Sequence, residues 1–253
     1  MRRKDGVFNK LVNLTKEHKN HLHILEETIP VSEQFEYFNF SKKLRENETP
    51  YIDRNYLISL LFTPELSIEE KRKYLSLLAG IADVAAYRAI ETYHSSPLEP
   101  ELANWSAMAL VESRILLNTD LTGEQQIFVS TGLGGHSGKL RYFFVVASKG
   151  NRPFTSLQSE IIEREFRFQF NLTGIEIEKE EKEAYYFTYL VLADLAIDIK
   201  ELVDATIREC NEYGHFIHPE SMITNTKILS KEDIEKHLAP NGSTSGSAQS
   251  IEI

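Results

Sequence analysis

Residues 154–171, FTSLQSEIIEREFRFQFN, decide how the second half of this chain folds. Residues 166–170, FRFQF, alternate between apolar and polar and taken alone favour a strand. Over the whole stretch, however, the apolar residues recur at helical spacing, and Gly174 just beyond it is a natural helix stop. The sequence therefore predicts a helix here.

Two sides of this predicted helix are apolar. Leu157, Ile161 and Phe168 share one side, and Ile162, Phe166 and Phe170 lie on the other. A helix that is apolar on two sides needs two partners. We therefore expect it to lie between a sheet and the helical first half of the chain.

Strand-like segments surround this helix. Residues 140–147 and 185–193 are almost continuously apolar, which is typical of central strands, whereas residues 175–179 and 222–228 have the alternation of edge strands. With a second helix after Asp198, the order from Leu140 is β-α-β-β-α-β. This order resembles the ferredoxin-like fold, in which the first and third strands are central. Residues 126–130, QIFVS, would add a strand in front of it.

The first half of the chain is predicted to be helical, with helices near residues 7–26, 32–45 and 51–63 and three more over 67–118. Ser67 stands three residues before Glu70, which is the capping-box spacing. The run LAGIAD, residues 78–83, joins two of these helices at a Gly/Asp turn. Small and apolar residues follow on the packing faces: Ala86, Ile90, Trp105, Ala107, Ala109 and Leu110.

This pattern resembles a HEAT-type repeat over residues 67–118, at most one and a half units. The resemblance implies a helical surface that binds another protein. The fold class we predict is α+β: a helical HEAT-like region, 1–120, packed on a ferredoxin-like antiparallel sheet, 125–238, with an added N-terminal strand. The Gly/Ser-rich residues within 239–253 indicate a disordered tail.

Composition limits the class of protein. The chain has 253 residues, of which 42% are hydrophobic and 26% charged, as in globular proteins. No apolar run approaches the ~20 residues that a membrane span needs. Polar residues interrupt the N-terminal region, so we expect no signal peptide. Cys210 is the single cysteine, which suits a reducing compartment, and we expect a cytoplasmic protein.

Charge is unevenly distributed. The net charge is −10, which disfavours nucleic-acid binding by the surface as a whole, but residues 1–23 are basic. Arg2, Arg3 and Lys4 are the candidate partner-binding residues of this arm. Either the arm contacts phosphate or an acidic protein surface, or it is a solvated terminal helix.

The glycine-rich loop GLGGHSGK, residues 132–139, is the candidate ligand site. Its spacing does not match a P-loop, because Leu133 stands where the first glycine belongs and a strand follows Lys139. It leads into no helix, so it is not a dinucleotide fingerprint either. Two interpretations remain: a flexible hairpin loop, or an anion-binding loop. The candidate ligand residues are Gly132, Gly134, Gly135, His136, Lys139 and Arg141.

No metal, cofactor or catalytic group is predicted. Cys210, His215 and His218 have the spacing C-x4-H-x2-H, but a zinc site needs four ligands and the stripe around Cys210 places its thiol in the core. An enzyme would need distant acids or histidines to converge, and we lean against one.

We expect an adaptor or regulatory module that binds another protein. The alternative is a ligand-responsive or RNA-contacting domain that uses loop 132–139 and the basic arm. A membrane partner is not expected, and the sequence does not specify the oligomeric state.

Overall fold

The computed structural model describes residues 21–46 and 53–239 of the chain. The chain divides into two compact units. The helical unit comprises Met1–Arg141 with Asp194–Ala196, and the sheet unit comprises Tyr142–Ala193 with Ile197–Ile253. Arg2, Arg3, Lys4 and residues 240–253 of the predicted tail lie outside the described residues.

The helical unit contains five described α-helices. They are α1 (Val31–Glu46), α2 (Arg54–Leu61), α3 (Ile68–Ala79), α4 (Val84–Ser95) and α5 (Ala103–Thr122). The three helices predicted over 67–118 are confirmed as α3 to α5, and so is the capping box, in which Ser67 and Glu70 each accept a backbone N–H of the other residue. Helix α5 packs against both α3 and α4.

A two-stranded parallel sheet completes the described part of the helical unit. Strand β1 (Leu22–Ile24) pairs with β2 (Ile127–Val129). The prediction of a helix over 7–26 is therefore wrong at 22–24, and residues 7–20 lie outside the described ranges. The strand predicted at 126–130 exists, but its partner is β1, because the register places Leu22 opposite Ile127.

The sheet unit has the predicted β-α-β-β-α-β order. Its elements are β4 (Lys139–Ala147), α6 (Ser156–Thr173), β5 (Glu176–Lys182), β6 (Tyr186–Asp194), α7 (Ile199–Asn211) and β7 (Met222–Thr224), followed by α8 (Lys231–Leu238). The boundary between the units falls within β4. The strand order is β7-β4-β6-β5, so the two apolar strands are central, as predicted. A strand that was not predicted, β3 (Gly135–His136), pairs with the start of β4, whereas the strand predicted at 126–130 lies outside this sheet.

Helix α6 is confirmed as a helix. Thr155 and Gln158 form a capping box at its start, and Gly174 ends it with a positive φ of 71°. Its buried side packs on the sheet through aromatic rings. Phe166 stacks on Phe144 with centroids 5.9 Å apart, and Phe170 meets the same ring edge-on at 6.1 Å.

The second apolar side of α6 is not covered. Leu157 is 66% exposed and Phe168 is 60% exposed, whereas Ile161 between them is buried. The prediction that this helix lies between two partners is therefore wrong. Aromatic side chains of the sheet cover the side of α6 that bears Phe166. Hydrophobic periodicity alone does not reveal whether another element covers the opposite side.

Helix α7 carries the single cysteine in its buried stripe, as predicted. Asp198 caps the helix by accepting a hydrogen bond from the Glu201 amide at 3.0 Å. Cys210 is fully buried and free. Within residues 21–46 and 53–239, no helix is both long and apolar enough to cross a bilayer.

Candidate functional site

The glycine loop of the helical unit packs tightly on the segment after β1. The Gly135 amide donates to the Glu26 carbonyl at 3.2 Å. A Cβ at Gly134, whose φ is +66°, would overlap the carbonyl oxygens of Glu26 and Glu27. These glycines are therefore needed for a close approach of two backbones, independently of any ligand.

The remaining candidate residues close the same loop. Gly135 pairs with Leu140 and His136 with Lys139, so β3 and β4 form a hairpin. The Arg141 guanidinium donates to the Leu133 carbonyl at 2.7 Å, across the loop. Gly132 is buried. The structure thus brings all six predicted ligand residues together in one hairpin.

The anion nearest this loop is a side chain of the protein itself. The Ser137 amide donates to Glu26 Oε1 at 3.1 Å, and His136 Nδ1 lies 3.4 Å from Glu26 Oε2. One backbone amide and one imidazole of the hairpin therefore face the Glu26 carboxylate.

A small cavity of about 160 Å³ lies beside the hairpin. Its walls come from β1, the following segment, α5 and the hairpin tip: Leu22, His23, Ile24, Glu26, Val111, Arg114 and Gly138. None of these residues is among the six predicted ligand residues, although Gly138 lies within the predicted loop, 132–139. The other residues are far apart in the chain, and no local spacing relates them.

A histidine on α4, His94, contacts both the segment after β1 and helix α5. His94 Nε2 is 3.4 Å from Glu27 Oε1, and His94 Nδ1 is 3.0 Å from Ser106 Oγ. Ser106 Oγ also donates to the Ala103 carbonyl at 2.8 Å. The hydrogen bond from His94 and the charge of Arg114 lower the pKa of Glu27.

This Ser-His-Glu chain is not built for nucleophilic catalysis. Ser106 is fully buried, so its hydroxyl is out of reach of a substrate. The thiol of Cys210 is no better placed, because burial raises its pKa to about 12. Nowhere in the described part of the chain do three or more His, Cys, Asp or Glu side chains converge as metal ligands.

The most distinctive surface of the sheet unit is on α6. Leu157, Phe168 and Leu172, which we name the α6 stripe, are 66%, 60% and 71% exposed. Steps of eleven and four residues place them along one side of the helix. Tyr213, also exposed, lies beside the stripe, with the Arg164 guanidinium 5.7 Å from its ring centroid.

Charged residues border the stripe. Glu160, Arg164 and Arg167 are exposed on the helix next to it. Arg164 binds Glu165 at 2.8 Å, and Arg167 binds Glu180 at 3.0 Å. An apolar stripe with a polar rim is typical of a protein-binding surface.

Comparison with known proteins identifies no relative of this chain. The chain matches no protein-family model and no curated protein. The candidate surfaces therefore rest on the geometry described above.

Proposed function

We propose that this chain is a cytoplasmic adaptor or regulatory module that acts by binding another protein through the α6 stripe. The observation that carries the proposal is the exposure of three large apolar side chains along one side of a single helix. Exposing these side chains to water is unfavourable, and a partner that covers them would remove that cost. The buried, free thiol of Cys210 suits a reducing compartment.

The shape of the stripe favours an amphipathic helix as the partner element. Leu157 and Leu172 are fifteen residue steps apart, which is about 22 Å at 1.5 Å per step. It is one side chain wide, with charges along its border, which is the arrangement that helix-to-helix docking uses. The partner helix would present apolar residues three and four apart and charges that complement Glu160 and Arg167.

Site-specific photocrosslinking tests this proposal in the full-length chain. A photoreactive phenylalanine analogue replaces Phe168 in one variant and Phe35 in a matched control, since Phe35 is equally exposed but lies on α1. We expect position 168, and not position 35, to yield a discrete product with a protein. The cross-linked peptide should carry apolar residues at helical spacing. Identical products from both positions, or none from position 168, would refute the proposal.

A second candidate function is small-ligand binding at the cavity beside the glycine hairpin. Arg114 supplies a cation and Glu26 an anion to its wall, so a small zwitterion such as a free amino acid fits its charge. Its volume corresponds to roughly five waters at about 30 Å³ each. NMR titration with glycine and alanine should perturb the residues around Arg114. Arg114→Met should abolish the shifts and Arg88→Met, on neighbouring α4, should not; the absence of shifts in the unaltered chain would exclude this candidate.

A further inference from the structure

We infer that His23 is a ligand-binding residue of the cavity beside the glycine hairpin, and that its Nδ1 accepts a hydrogen bond from the ammonium group of a small amino acid. This inference rests on the second candidate function and states how that site would recognise its ligand. His23 lies on β1 and lines the cavity together with Glu26 and Arg114. Its ring is held by a chain of hydrogen bonds that determines which of its two nitrogens carries a proton.

The side-chain amide of Gln126 sets the direction of this chain. Its nitrogen, Nε2, donates to the Glu124 carbonyl at 3.0 Å, and a carbonyl oxygen only accepts. The other atom of the amide, Oε1, is therefore the one that lies 2.9 Å from His23 Nε2. Since this oxygen also only accepts, His23 Nε2 carries a proton and donates it.

A second histidine supports the other end of the same amide. Gln126 Nε2 is 3.2 Å from His21 Nδ1, which accepts from it, and His21 Nε2 is 2.6 Å from the Glu124 carboxylate. A carboxylate, an imidazole, an amide and a second imidazole thus form one chain with one direction. Moving the His23 proton to Nδ1 would place two acceptors against each other at Gln126 Oε1.

The consequence for His23 is an acceptor that the protein does not use. When the proton is on Nε2, the lone pair of the neutral ring is on Nδ1. No group within residues 21–46 and 53–239 donates a hydrogen bond to this nitrogen. A donor group of a ligand in the cavity fits this position.

The charges around the cavity define which donor fits. Arg114 attracts a carboxylate and Glu26 attracts a cation. A primary ammonium group has three N–H donors, so it can pair with the Glu26 carboxylate and donate to His23 at the same time. A quaternary ammonium group has the same charge and no N–H donor. The site should therefore select amino acids by their N–H groups as well as by their charge.

A series of methylated glycines separates N–H donation from charge. Glycine, N-methylglycine, N,N-dimethylglycine and trimethylglycine carry the same two charges and successively fewer N–H groups, and trimethylglycine has none. In NMR titrations of the full-length chain, we expect glycine to bind more tightly than trimethylglycine by about tenfold or more.

The His23→Ala variant separates donation from size. If Nδ1 accepts from the ligand, this variant should bind glycine about tenfold more weakly and trimethylglycine as before. If trimethylglycine is excluded only because it is larger, the variant should bind glycine as before and trimethylglycine more tightly. His237→Ala, which alters an exposed histidine on α8, is the matched control and should leave both affinities unchanged.

The position of the proton on the ring is measured separately. Nitrogen-15 NMR of the unaltered chain should show the His23 proton on Nε2, and Gln126→Leu should give a mixture of both tautomers, because the amide that orients the ring is gone. Loss of packing at Gln126 alone would not move the proton from one nitrogen to the other. Circular dichroism should show that all three variants stay folded.

Two results would overturn the inference: equal binding of glycine and trimethylglycine by the unaltered chain, or a His23 proton on Nδ1. If glycine binds and Arg114→Met abolishes its binding, but His23→Ala does not weaken it, the second candidate function stands and only the role of His23 falls. If glycine does not bind the unaltered chain, both fall.

Discussion

A buried lysine offers the sharpest test of how the helical unit is stabilised. Lys71 on α3 has no exposed surface, and its ammonium forms an ion pair with Glu99, which is 17% exposed. The Tyr93 hydroxyl donates to the other oxygen of the same carboxylate. The perturbation is Glu99→Gln, which keeps the shape of the side chain and removes its charge.

The expected cost follows from the burial of Lys71. Removing one partner of a buried ion pair leaves the other charge without compensation, which typically costs about 3–5 kcal/mol. Because the glutamine oxygen can still accept a hydrogen bond from Lys71, we expect a loss near ~3 kcal/mol at neutral pH. The double variant Lys71→Met with Glu99→Gln removes both charges and should recover most of the loss.

The assay is urea unfolding followed by fluorescence. Trp105 is the single tryptophan of the chain and lies in the helical unit, where its ring centroid is 5.1 Å from that of Tyr37. Its emission therefore reports on the unit that contains Lys71. The free energy of unfolding is compared between the unaltered chain, Glu99→Gln and the double variant.

The pH dependence provides a second readout. Burial alone would raise the pKa of Glu99, but hydrogen bonds from Lys71 and Tyr93 outweigh it and hold the pKa below its ordinary value of 4.5. A carboxyl whose pKa is lowered on folding contributes stability above its unfolded pKa and loses it as the pH falls through the folded value. The difference between the unaltered chain and Glu99→Gln should therefore shrink as the pH falls below 4.5. A loss under about 1 kcal/mol at neutral pH, or a difference that does not change with pH, would refute the reasoning.

Four further variants test individual positions by the same fluorescence assay or by thermal unfolding. Gly134→Ala should lower the free energy of unfolding by more than about 3 kcal/mol, because the new Cβ meets two carbonyl oxygens. Gly138→Ala has open space around it and should lower it by about 1–2 kcal/mol, for the positive φ alone. Equal losses would contradict the argument that Gly134 allows a close approach of two backbones. Tyr189→Phe removes a buried hydroxyl that no group meets at full hydrogen-bonding distance, although the Glu180 carboxylate is near it. Thermal unfolding should therefore show little change in stability, and a loss above about 1 kcal/mol would show that the hydroxyl donates to Glu180. Ser67→Ala removes one half of the capping box and should lower the free energy of unfolding by about 1 kcal/mol. An unchanged unfolding midpoint would mean that the cap does not stabilise the helix.

Local signals predicted the elements well where neighbouring residues are enough to specify them. The capping pair Ser67 and Glu70 marked the start of α3, and Gly174 marked the end of α6. Continuous apolar runs separated the central strands β4 and β6 from the edges, because a strand covered on both faces is apolar over most of its length. The core position of Cys210 followed from helical spacing in the same way.

The candidate sites could be predicted only in part from local sequence signals. The glycine spacing located the hairpin, but the reason for Gly134 lies in Glu26 and Glu27, more than a hundred residues earlier in the chain. The cavity wall joins His23 to Arg114 and Gly138, and no periodicity connects positions so far apart. The strand at 127–129 was recognised, but its pairing with β1 was not, since strand composition does not specify a partner.

By itself the sequence indicated most of the described helices, and which strands of the larger sheet are central, because caps, stops and apolar periodicity act between residues close in the chain. Only the tertiary structure decided that Phe166 and Phe170 are covered while Leu157 and Phe168 remain exposed. Periodicity records that a side chain is apolar, whereas burial depends on whether another part of the chain arrives to cover it. The α6 stripe, on which the proposed function rests, is exposed because no other part of the chain covers it.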